Sequence, residues 1–155
     1  MSDNPREDSR IGGYLVAMGV FTASLAGSAV THRVRGTELP LRYSAGDLLL
    51  GGLATHKFTR LLAKDAVTTP LRAPFTDYEE PAGSGELNES PKDGHLSHTV
   101  GELITCPFCL APWVSSAYVM GLGLAPRLAR AWAAIFSVVA ASDYLQHAYA
   151  RLRTD

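Results

Sequence analysis

Two cysteines three residues apart, Cys106-Pro107-Phe108-Cys109, are the side chains of this 155-residue sequence best suited to chemistry. Such a pair can close a disulfide, hold a metal or exchange with another dithiol. At a helix start the first thiol feels the positive end of the helix dipole, which favours thiolate. No βαβ pattern surrounds the pair, which argues against a thioredoxin domain. A membrane thiol oxidoreductase working with a quinone also places a cysteine pair at a helix end, but commonly uses a second pair, and this chain has 2 cysteines in all. Adding His95 and His98 gives H-x2-H-x7-C-x2-C, the donor number of a tetrahedral zinc site. Zinc is therefore the cofactor this alternative implies. The plainer reading needs none: the thiols pack a helix end and the histidines are solvated.

Asp143 is the second candidate. It interrupts an otherwise apolar stretch, where a carboxylate is costly and marks function by default. His147 follows four residues later and shares its helix face, so the two form a candidate proton or ion relay. His56 and Arg60 end an earlier apolar segment, and counting along the helices brings them to the depth of Asp143, Cys106 and Cys109. On this reading His56 or Arg60 neutralises Asp143.

The elements that must position these groups are apolar. Residues 11–31 carry no charge and span roughly 31 Å as a helix, the thickness of a hydrocarbon core. The acidic residues Asp3, Glu7 and Asp8 ahead of them favour a spanning helix over a signal peptide. A weaker segment covers about 43–63, and further spans cover about 103–125 and 131–150, with Trp132 as an interfacial anchor. Residues 66–99 hold four prolines and six acids and read as a solvated, partly disordered loop, with only its first part ordered against the helix ends. The expected fold is all-α: a membrane helical bundle of three to four transmembrane helices in a single domain.

The net charge of −1 gives no support for nucleic-acid binding. With four spans, nine lysines and arginines lie on the side of the termini and the 66–99 loop, against five on the other. Both termini are therefore expected in the cytoplasm of a multi-pass cell-membrane protein. So small a bundle is expected to form a homo-oligomer or to bind a membrane partner protein, with the lipid bilayer as its other partner.

Several motifs occur in a fixed order: Thr55-His56-Lys57 with Arg60, Lys64-Asp65, Thr69-Pro-Leu-Arg-Ala-Pro-Phe75, and Gly101-Glu-Leu-Ile-Thr-Cys-Pro-Phe-Cys-Leu110 with Trp113. Over roughly 45–148 they resemble a family of small bacterial multi-pass membrane proteins carrying a domain of unknown function, some labelled sporulation proteins. The resemblance implies no reaction, cofactor or substrate. It points to His56, Arg60, Asp65, Arg72, Pro74, Phe75, Glu102, Cys106, Cys109 and Trp113 as residues to test. Glu102 also has a simple role, since a negative charge suits a helix N-terminus. The expected function is structural or scaffolding; the alternatives are a thiol-redox or metal protein using Cys106 and Cys109, and proton or ion handling through Asp143 and His147.

Overall fold

The computed structural model describes residues 5–153, the side chains of 5–9 and 95 excepted. Long helices dominate. They are α1 (Pro5–Arg35), α2 (Ala45–Lys64), α5 (Pro107–Leu124) and α6 (Pro126–Leu152). Between α2 and α5 lie a 3₁₀ turn (Ala66–Thr68), the single-turn α3 (Thr69–Arg72), an antiparallel hairpin of β1 (Thr76–Gly83) and β2 (Glu86–Pro91), and α4 (His95–Thr105).

Local chemistry sets the helix ends. Ser44 caps α2 by accepting from the Asp47 amide at 3.0 Å, and its hydroxyl donates back to the Asp47 carboxylate at 2.9 Å. Pro107 and Pro126 occupy first-turn positions of α5 and α6, where a missing N–H costs nothing. Pro126 thus opens α6, and Ala125 alone joins it to α5, so residues 127–130, which lie between the two expected spans, are helical. Pro112 lies inside α5, and the helix continues through it.

Side-chain partners fix the directions of the helices. Tyr14, Phe21 and His32 of α1 meet Glu102, Trp113 and Met120 in that order, so α1 runs parallel to α5. Asp47 and Lys57 of α2 meet Arg130 and Asp143 of α6, so α2 runs parallel to α6 and against α5. The start of α1, the end of α6, the hairpin and α4 therefore sit at one end of the bundle.

The core is small and central. Ala54 of α2, Tyr118 and Leu122 of α5 and Ala133 of α6 are buried, with Trp132 and Phe136 packed around them. Phe58 meets Trp132 and Phe136 edge-on, at centroid distances of 5.4 and 4.8 Å. Gly51 is needed here because a Cβ at this position would collide with the Tyr118 ring. At the far end the Tyr118 hydroxyl donates to the Asp47 carbonyl at 2.9 Å, and Arg130 grips the Asp47 carboxylate at 2.8 and 3.1 Å.

Outside this core the helices present apolar side chains outward: Met18, Leu49, Val138 and Leu145 are all well exposed. α1, α5 and α6 are long and apolar enough to cross a membrane, and only 6% of the apolar window of α1 is buried in the protein. α2 falls outside that set. It is the central helix, and its polar residues serve neighbours rather than an apolar surround.

The 66–99 region corrects the expectation of a loose loop. Apart from its short connections it is folded, and it carries the one sheet among the described residues. Ser84 and Gly85 both have positive φ, at 51° and 78°, as a tight two-residue hairpin turn requires. The third apolar segment is likewise not one helix from 103. α4 stops at Thr105, Cys106 is extended, and α5 starts at Pro107.

Candidate functional site

The hairpin is fastened through Arg72. Its side chain is 1% exposed, the most deeply buried large side chain among the described residues. The guanidinium donates to both carboxylate oxygens of Glu89, at 2.6 and 3.1 Å. It also donates to the Leu62 and Asp65 carbonyls, at 2.8 and 3.1 Å, and to the Thr68 and Thr69 hydroxyls. The Thr76 hydroxyl adds a 3.1 Å bond to Glu89. One planar fork thereby ties together the end of α2, the 3₁₀ turn, α3 and β2. Burial alone would push the Glu89 carboxyl up; hydrogen bonds and charge from Arg72, with the Thr76 hydroxyl, outweigh it and hold the carboxyl below its ordinary range.

That depression has a sign. A carboxylate with a lowered folded-state pKa contributes stability in full above the ordinary glutamate value, about pH 4.3, and loses it as pH falls through the folded value. Hydrogen-exchange protection of β1 and β2 is expected to stay level down to about pH 5 and to decline below it. Glu89→Gln should start less protected and lose that acid-side slope.

A second cluster lies between α2 and α6 at the same end of the bundle. Lys57 Nζ is 2.9 Å from Asp143 and 3.7 Å from Asp65. Arg60 makes a two-pronged pair with Glu86, its Nε donating to Oε1 at 3.0 Å. His56 stacks on Tyr144 with a centroid distance of 6.4 Å and an interplanar angle of 11°. These groups, Asp65 apart, and His147 line a cleft of about 450 Å³, to which the hairpin adds Ala82, Gly83 and Ser84.

The structure thus gathers His56, Arg60, Asp143 and His147 at one cleft but leaves the thiols elsewhere. The partner of Asp143 is Lys57, one helical step from the residues expected to neutralise it. Asp65 closes α2, offering its carbonyl to Arg72 and its carboxylate to Lys57. Phe75 and Pro74 follow α3; the Phe75 carbonyl accepts from the Lys92 amide at 2.9 Å, which starts the hairpin in register. Trp113 meets Phe21 edge-on at 5.0 Å and joins α1 to α5. Glu102 accepts from the Tyr14 hydroxyl at 2.7 Å and lies 3.3 Å from His98 Nε2.

The cysteines sit at the α4–α5 joint, and both are free thiols. Cys106 is the N-cap of α5, and its sulfur accepts from the Cys109 amide at 3.2 Å. Their three-residue spacing is therefore the spacing of a helix cap and the amide it satisfies. Among the described residues no three His, Cys, Asp or Glu side chains are arranged to hold a metal ion. The His95 side chain of the H-x2-H-x7-C-x2-C set lies outside the described residues.

Lys57, Glu86 and Glu89 escaped the sequence reading. A carboxylate in an apolar helix requires a cation at its depth, which was the available cue for Lys57. Glu86 and Glu89 carry no such cue, because they resemble their acidic neighbours.

A family model described as protein of unknown function (DUF1360) matches residues 48–149, and the chain belongs to that family. No curated protein and no solved structure matches it.

Proposed function

We propose that this chain is a multi-pass membrane protein that serves as a scaffold. In this reading α1, α2, α5 and α6 cross the bilayer, and residues 66–105 form a rigid cytoplasmic platform on which a partner protein docks. The observation carrying the proposal is the buried Arg72–Glu89 pair, which fixes the platform to the end of α2 with a full set of hydrogen bonds. A loop with no task beyond joining two helices has no need of such fastening. The platform also exposes Val67, Leu71, Tyr78 and Leu96, large apolar side chains outside the apolar helix windows, as a docking face would. Three helices suited to a bilayer and the excess of basic residues on the platform side support the orientation.

Photocrosslinking in intact cells tests it. A photoreactive side chain replacing Leu71 or Tyr78 is expected to yield one discrete protein adduct, whereas the same group replacing Leu49, exposed on α2, yields none. Equal adducts at all three positions, or none on the platform, would overturn the scaffold reading.

A further inference from the structure

The cleft between α2 and α6 holds chemistry that scaffolding does not use. Its strong charges cancel in pairs: Lys57 meets Asp143, and Arg60 meets Glu86. Asp65 reaches Lys57 from behind the cleft, at 3.7 Å. What remains toward the open volume is chiefly donor capacity. Arg60 engages Glu86 through Nε and Nη2 only, and its side chain is 43% exposed, so the Nη1 edge is open. His56 and His147 are exposed and have no ion-pair partner among the described residues, and Tyr144 offers a hydroxyl 3.5 Å from His56. Ser84 adds a hydroxyl from the hairpin turn. Every carboxylate facing the cleft already has a cation, so a further cation would have to displace one. An anion would not.

We propose that this cleft is a binding site for a phosphate-type anion, held by the open edge of Arg60 and by the imidazoles of His56 and His147. The guanidinium fork suits two oxygens of a tetrahedral anion, and charge-assisted bonds of this kind are the stronger ones. The volume of about 450 Å³ accommodates a phosphate with a small substituent. The cleft lies where the ends of α2 and α6 meet the platform, the level of lipid headgroups if the bundle crosses a bilayer. The anion is therefore either the phosphate of a lipid headgroup or a soluble phosphate ester. Imidazoles gain charge below neutral pH, so binding strengthens on the acid side. The other charged or titratable groups facing them are Lys57 and Arg60 on α2, Glu86 on the hairpin, and Asp143 and Tyr144 on α6.

The test uses the delipidated full-length protein in neutral detergent, its unfolding temperature read from tryptophan fluorescence. Probes are short-chain phosphatidylglycerol, inorganic phosphate, and a short-chain diacylglycerol lacking phosphate. Stabilisation by phosphatidylglycerol alone supports the site with a lipid source. Stabilisation by inorganic phosphate as well supports it with a soluble source. Either response should weaken about tenfold in apparent affinity from about pH 5.5 to pH 8, and by about as much in His56→Gln/His147→Gln. Arg60→Gln should abolish it. The histidine variant alters only exposed side chains and keeps the test decisive should Arg60→Gln not fold. Equal stabilisation by the phosphate-free lipid, no response to either phosphate, or a response unchanged in the histidine variant would overturn the proposal.

Discussion

Arg72→Met is expected to release the platform from the bundle. The substitution removes seven hydrogen bonds and leaves the Glu89 carboxylate buried without its cation. Breaking one side of a buried pair costs about 3–5 kcal/mol, far more than the pair itself contributes over an apolar replacement. Protection of the β1 and β2 amides from hydrogen exchange should fall by that order, while amides in the middle of α5 and α6 keep theirs. Arg72→Lys retains the charge but loses the fork that reaches Glu89 and two carbonyls together, and should recover only part of the loss. The double variant Arg72→Met/Glu89→Leu should recover more than either single change, because no lone charge then stays buried. Unchanged protection in Arg72→Met would show that the hairpin stands without this pair, and the scaffold reading would lose its main support.

Gly101→Ala should produce the second largest effect, and against the usual trend. In a helix interior alanine is normally favoured over glycine by about 1 kcal/mol. At Gly101 a Cβ would lie 2.7 Å from the Phe75 carbonyl oxygen and 2.9 Å from Cβ of Pro91. One of these is backbone and the other part of a rigid ring, so neither swings aside, and α4 must move off β2. Overpacking of this kind costs about 1–3 kcal/mol, enough to reverse the helix preference. Gly52→Ala provides the contrast, because nothing stands within 4 Å of its Cβ. Thermal unfolding should therefore rank Gly52→Ala at or above the parent chain and Gly101→Ala below it. The opposite ranking would show that α4 does not depend on close contact with the hairpin.

The long helices were legible because apolar runs of their length have few other uses. The hairpin was not. Its strands, Thr-Asp-Tyr-Glu-Glu-Pro-Ala-Gly and Glu-Leu-Asn-Glu-Ser-Pro, are poor in β-branched residues and show no two-residue alternation. They pair because the Ser84-Gly85 turn, the Glu89–Arg72 link and the flank of α4 hold them in place, and all but the turn act from outside the strands. α4 was hidden for a related reason: its apolar residues merge with those of α5, and the extended Cys106 that separates them looks like part of the run. At the cleft, helix depth sufficed to bring His56, Arg60, Asp143 and His147 together. It did not single out Lys57, because choosing among three cations at one level requires the rotation of α2 about its own axis.

The pairing of α2 with α6, to which it runs parallel, bears on how the chain is made. Asp47 finds its counter-charge 83 residues later in Arg130, and Lys57 waits still longer for Asp143. A nascent chain holding α2 alone would offer the translocation machinery a carboxylate and an ammonium whose partners on α6 are not yet made. If α2 crosses the bilayer, it therefore settles there only once α6 has been synthesised. Biogenesis would then depart from chain order: the second helix off the ribosome would be the last to find its place.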